Sequence, residues 1–184
     1  MIIGITGTLG AGKGTVVKYL KEKKGFAHYS SSGLLKKMLD EKDVSPTRAN
    51  LSSLADELNE KYKGGVLHLS HERAQKEGVE DYILESIHRV SEAEYIRDIG
   101  GLVLGVDADA EIRYERALSR REGEKDNVTF EQFFNDIARE EEGKGKGTPN
   151  IVAVLKDADY VIENNGTLEE LHQQVDDFLT KFGK

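Results

Sequence analysis

At 184 residues the chain is long enough for one domain with a buried core, and too short for several. A net charge of −8 repels nucleic acid and anionic membrane surfaces, which excludes DNA, RNA and membranes as partners. With 0 cysteines, disulfides and thiolate metal sites are excluded too, and a reducing, cytoplasmic setting fits.

Met1 to Ile5 carries no basic leader region and predicts a strand, extending over Ile2 to Thr6. A glycine-rich turn follows over Gly7 to Gly12. Lys13 to Lys24 has helical spacing, with Val16, Val17 and Leu20 on one side and Gly25 as its stop. Phe26 to Ser30 predicts a second strand, and helices follow at Gly33–Glu41, Arg48–Tyr62 and Val66–Lys76. Tyr82 to Leu84 predicts a third strand, running into the polar segment Glu85 to Arg89, and Glu92–Asp98 a short helix. Gly101 to Val106 is a continuous apolar run, as a strand buried on both faces requires. Helices are predicted at Ala110–Arg121, Phe130–Glu142 and Thr167–Phe182, and a last strand at Ala158–Ile162. No window approaches the roughly 20 apolar residues of a membrane span.

Strands alternating with helices imply βαβ units: an α/β fold with a parallel five-stranded sheet between two helical layers. Ligands in such sheets bind beyond the carboxyl ends of the strands, so the chemistry is sought at each strand's exit. The expected organisation is one domain, with its core in 1–33, 81–121 and 150–184 and two excursions at 34–80 and 122–149.

The first exit reads Gly7-Thr8-Leu9-Gly10-Ala11-Gly12-Lys13-Gly14-Thr15. Glycines let successive backbone N–H groups turn inward on an anion, and the helix starting near Lys13 aims its positive dipole end at the same point. The lysine adds a mobile charge for the β- and γ-phosphates of a nucleoside triphosphate, which makes this a P-loop. Gly10, Ala11, Gly12, Lys13, Gly14 and Thr15 are therefore the expected ATP-binding residues. The strict pattern puts Ser or Thr directly after the lysine as an Mg²⁺ ligand, whereas here the hydroxyl is displaced to Thr15. Magnesium is then expected to be held mainly through water and a carboxylate.

With its Gly-Lys-Gly-Thr form, the chain resembles the P-loop nucleoside monophosphate kinases, of which adenylate kinase is the familiar member. Ser31-Ser32-Gly33-Leu34-Leu35-Lys36-Lys37 resembles that family's Ser-Thr-Gly-Asp-x-Leu-Arg segment, with Leu34 in place of the aspartate. The resemblance implies that Ser32 and Lys37 meet the acceptor; a serine that only caps a helix is the alternative. Glu85-Ser86-Ile87-His88-Arg89 is similar to Asp-Gly-Phe-Pro-Arg, implying Glu85 for magnesium's water shell and Arg89 for the acceptor phosphate. His88, in the proline's place, would line the site.

Arg113, Arg116 and Arg120 fall at i, i+3, i+7 and share one helix face. Their segment resembles the family's Asp-Arg-x-x-x-Arg-Arg, implying Arg116 stacked on adenine and Arg120 at the transferring phosphate. A solvated face paired with Glu111 and Glu115 is the alternative reading. The same resemblance places a lid at 122–149, with Arg139 as its arginine, and sets Asn165 and Gly166 beside the adenine edge. An Asn-Gly turn feeding a Thr cap explains those two residues equally well. His68 and His71, three apart, read as packing or surface histidines rather than as a zinc pair.

The implied activity is transfer of the γ-phosphate of ATP, with Mg²⁺, to a nucleotide monophosphate, by a monomer or small homo-oligomer. Lys13, Arg89, Arg120 and Arg139 would supply the positive charge that an acidic exterior lacks. Two alternatives stand beside it. One is a dephospho-coenzyme A kinase, although the second strand's exit, His28-Tyr29-Ser30, lacks that family's aspartate. The other is an adenylate-kinase-like assembly module that hydrolyses ATP without transfer.

Overall fold

The computed structural model of the protein describes residues 1–120, 129–131, 133, 135 and 149–183. Five strands, β1 (Ile2–Gly7), β2 (Ala27–Tyr29), β3 (Tyr82–Glu85), β4 (Leu102–Asp107) and β5 (Tyr160–Glu163), form one sheet. The described helices are α1 (Lys13–Lys24), α2 (Ser31–Asp40), α3 (Arg48–Lys61), α4 (Val66–Lys76), α5 (Val90–Asp98), α6 (Ala110–Arg120), α7 (Ile151–Lys156) and α8 (Leu168–Lys181). Among these, none is long and apolar enough to cross a membrane.

Every strand pair is parallel, in the order β2-β3-β1-β4-β5. From β1 the chain first fills one side of the sheet and then crosses to the other. The carboxyl ends of β3, β1 and β4 therefore flank the crevice where such sheets bind ligands. In register, Ile5 lies beside Glu85 and Gly7 beside Val106, which sets Glu85 and Asp107 on either side of the β1 exit.

Side-chain alternation sorts the sheet's residues into two cores. Ile3, Ile5, Ile83, Leu104, Val106 and Ile162 pack against α1 and α8, with Phe178 fully buried among them. Tyr82, Leu84 and Val103 pack on the opposite face with Leu67, Ile96 and Val154. Each fully buried Ile or Leu contributes roughly 1.5–3 kcal/mol, so the sheet is a rigid platform. A separate cluster of Leu35, Leu39, Leu54, Leu58 and Val66 ties α2, α3 and α4 together.

Most predicted elements form within a residue or two of their expected ends. Two differ. Helix α2 begins at Ser31 rather than Gly33, because Ser30 caps it, its hydroxyl accepting from the Gly33 N–H at 3.3 Å. Helix α7 was not anticipated: Ile-Val-Ala-Val-Leu is apolar with branched residues, but Asn150 caps it, accepting from the Ala153 N–H at 2.9 Å. Strand β5 consequently starts at Tyr160, after the helix. Of the helix predicted over 130–142, only Phe130, Glu131, Phe133 and Asn135 are among the described residues, all of them helical.

At the β3 exit, Ser86 holds φ at 74°, in the left-handed region where a side chain costs about 1–3 kcal/mol. The turn is imposed by the Ser86 and Ile87 N–H groups, which both donate to the Ile5 carbonyl, at 3.1 and 3.2 Å. Ser86→Gly is expected to raise unfolding free energy by about 0.5–1 kcal/mol, part of the relieved strain being offset by glycine's larger entropy in the unfolded chain. Urea denaturation measures it, and a loss of stability would contradict the strain.

Candidate active site

The P-loop leaves β1 and closes on itself before α1. Gly12 caps α1 with φ at 101°, without a side-chain cap, and the first turn holds no acidic residue. The helix thus opens with N–H groups and no carboxylate to compete for them, as an anion site needs. Gly12 is required twice over. Its φ suits glycine, and a Cβ would run into the Asn164 amide. At Gly10, φ is 83° and a Cβ would collide with the Arg113 backbone. At Gly14 a Cβ meets nothing within 4 Å, so the hydroxyl's displacement to Thr15 has no steric cause.

Three hydrogen bonds hold the loop in place. Thr8 Oγ1 donates to Asp107 Oδ1 at 2.6 Å, Asn164 Nδ2 donates to the Ala11 carbonyl at 2.8 Å, and Arg116 Nη1 donates to the Asn164 carbonyl at 2.9 Å. Asn164 is buried and Arg113 is 9% exposed, so the arginine stripe of α6 is not a solvated face over its first turns. Lys13 Nζ turns onto the loop, donating to the Gly7 and Thr8 carbonyls at 2.8 Å each.

Beside it, Glu85 Oε2 is 2.6 Å from Nε2 of His28, which reaches across from β2. The Glu85 main-chain carbonyl accepts from the buried Ser31 hydroxyl at 2.5 Å. The His28 hydrogen bond, followed by the charges of His28, Lys13 and His88, holds the Glu85 carboxyl below its ordinary value although burial opposes this. Glu85 is therefore a carboxylate at neutral pH.

Arg89 caps α5 and is nearly buried, its side chain 9% exposed. It meets Asp56 Oδ1 on α3 at 2.6 Å and Glu92 Oε1 at 3.2 Å. Glu92 also accepts from the His88 and Arg89 N–H groups at 2.8 and 3.1 Å, a capping box. Sequence reasoning named Arg89 and missed both carboxylates.

The remaining predicted residues are dispersed. Ser32 is exposed, its hydroxyl 3.2 Å from that of Ser30. Lys37 is 68% exposed and 3.8 Å from Glu41. Thr15 and Gly166 are exposed, and Asn165 Oδ1 accepts from the Asp109 N–H at 2.7 Å. Arg116 meets the turn after β5 through the Asn164 carbonyl. Arg139 and the side chain of Arg120 lie outside the described residues. His68 and His71 pack against Tyr95 and Tyr82, with ring-nitrogen to hydroxyl distances of 3.3 and 2.5 Å. Thr8, Asp107, Asn164 and His28 were not singled out for the site. Asp107 could have been found as the acid that ends the longest apolar run.

A backbone anion cradle, a lysine and a carboxylate at neighbouring exits of a parallel sheet define a P-loop nucleotide-binding protein with the kinase fold. The chain belongs to the family described as AAA domain, whose model matches residues 3–142. It is 31% identical to a UPF0200 protein of Sulfurisphaera tokodaii, over 98% of this chain and 96% of that one. It is 26% identical to a dephospho-CoA kinase of Fusobacterium nucleatum (97% and 96% covered) and 22% identical to a cytidylate kinase of Clostridium botulinum (94% of each). In fold it is similar to the crystal structure of shikimate kinase from Bacteroides thetaiotaomicron, with a TM-score of 0.60 at 12% identity, covering 100% of this chain and 99% of that one.

Because the folded Glu85 value is depressed, its stabilisation is complete above the ordinary glutamate value of about 4.3 and is lost as pH falls through the lower folded value. Glu85→Gln lacks this titration and is expected to lose less stability than the wild type between about pH 5 and pH 3. Thermal melts in metal-free buffer across that window report it, and identical acid slopes would refute the assignment.

Proposed function

We propose that the protein is an ATP-dependent phosphotransferase that moves the γ-phosphate onto a nucleotide monophosphate. The observation that carries this reading is that Lys13, folded onto the loop leaving β1, and an ionised Glu85, ending the adjacent β3, stand by a helix N-terminus with no acidic residue in its first turn. Phosphoryl transfer asks for in-line positioning and for positive charge around the transferring group, and little covalent chemistry. An acceptor phosphate is already ionised at neutral pH, so no general base is obligatory.

Mg²⁺ prefers oxygen donors and is usually held by one or two carboxylates plus substrate phosphates. Glu85 suits that pattern, offering one ionised carboxylate beside the P-loop. Glu85 and the exposed Thr15 hydroxyl would hold the ion through water, and when bound it neutralises charge on the phosphates. Lys13 would leave the Gly7 and Thr8 carbonyls for the β- and γ-phosphates. Arg116, beneath the β5 turn, would lie against the adenine with Asn165 and Gly166. The acceptor would lie between α2 and α5, with Ser32, Lys37 and Arg89. Residues 34–80 and 122–149 would close over the site to exclude water, with Arg120 and Arg139 completing the charge.

A second reading is favoured by one observation. The His28–Glu85 pair brings to the β2 exit the carboxylate that the second strand itself lacks, where a hydroxyl acceptor would need a base. A dephospho-CoA kinase is such a hydroxyl-directed enzyme.

Lys13→Ala is expected to lower transfer by about two orders of magnitude or more, since it removes a charge acting on the transition state. Near-normal turnover would defeat the P-loop assignment. Incubating ATP and Mg²⁺ with a panel of ribo- and deoxyribonucleoside monophosphates and dephospho-CoA, followed by product separation, is expected to yield one productive monophosphate. Transfer to dephospho-CoA alone would favour the second reading. Hydrolysis of ATP without any transfer would defeat both.

A further inference from the structure

Arg89 joins the β3 exit to α3 through two carboxylates that differ in kind. Glu92 is fixed: its side chain is 4% exposed, one oxygen accepts two backbone N–H groups and the other meets the guanidinium. Asp56 is 59% exposed, lies 33 residues away in sequence and meets Arg89 Nη2 at 2.6 Å. A nearly buried guanidinium is costly to leave without anionic partners. Glu92 cannot leave without uncapping α5, whereas Asp56 can turn away without breaking a backbone hydrogen bond, provided another anion takes its place on Arg89. Of these two carboxylates, one is thus permanent and the other exchangeable.

We propose that Asp56 is an internal stand-in for the acceptor's anionic group, holding Arg89 in its binding pose until a phosphate displaces it. This rests on the reading above, in which Arg89 meets the acceptor phosphate. Asp56 is then a positioning residue with a specificity role. It keeps the guanidinium aligned and raises the threshold for any anion weaker than a phosphate dianion. Its carboxylate returns when the product leaves. The bond it makes is charge-assisted and its replacement by phosphate is of the same type, so the exchange costs little, while bulk water alone does not provoke it.

The sign of the effect separates this from a strut. If Asp56 only braces α3, removing it loosens the acceptor side and weakens binding. If it competes with the acceptor, removing it strengthens binding. The test titrates AMP and CMP separately into wild type, Asp56→Asn and Asp56→Ala, with the P-loop saturated by a non-hydrolysable ATP analogue and Mg²⁺. Calorimetry gives the Kd, and steady-state transfer gives KM and kcat. In both variants the nucleotide Kd and the acceptor KM are expected to fall about tenfold, with the ATP KM unchanged. An unchanged or raised Kd in variants that melt like the wild type overturns the stand-in, and so does a change in ATP KM of the same size. If the wild type transfers phosphate to a monophosphate in these cases, the kinase reading survives alone. Absence of binding and transfer in all three proteins overturns both.

Discussion

Everything at the carboxyl edge of the sheet depends on a loop of backbone amides being kept open. A glycine-rich segment has more conformations to lose than any other, so residues 7–15 hold their shape only because neighbours impose it. Asn164 imposes it from the β5 turn through the Ala11 carbonyl, Asp107 from β4 through Thr8, and Arg116 from α6 by fixing Asn164 itself. Each such bond is worth about 1 kcal/mol net, but breaking a buried one also strands its partner. The loop is thus clamped from β4, from the turn after β5 and from α6.

The same constraint explains how a protein of net charge −8 manages phosphate. Two cations near the P-loop, among the described residues, are held by oxygen atoms of the protein. Lys13 rests on two loop carbonyls, and Arg89 sits between Asp56 and Glu92. Carbonyls satisfy the lysine, and one exposed and one buried carboxylate satisfy the arginine, through charge-assisted hydrogen bonds. Glu85, kept ionised by His28 and Lys13, places a negative charge at the neighbouring strand exit.

The left-handed Ser86 belongs to this arrangement. Two successive N–H groups converging on the Ile5 carbonyl bend the chain sharply after Glu85, so that Arg89 caps α5 at the mouth of the crevice. In the resembling segment Asp-Gly-Phe-Pro-Arg the same position is glycine, the residue for which that conformation is free of strain. Here the bend is kept with a serine, and its cost falls on a turn that the site needs.

Local signals alone determined the strand of Ile2 to Thr6, the glycine cradle, and the bounds of α1 and α4. Each depends on residues within a turn or two of one another: a helical apolar stripe, a stopping Gly25, an opening Gly65. Tertiary structure decided the rest. Ile151–Lys156 became a helix because Asn150 caps it and the β4 face receives Val154, against the branched residues' preference for strand. His28 meets Glu85 only because the order β2-β3-β1-β4-β5 lays those strands side by side. Asn164 meets Ala11 across 153 residues, and Asp56 meets Arg89 across 33. No periodicity encodes such pairings, since they arise from how the sheet orders its strands and not from spacing along the chain.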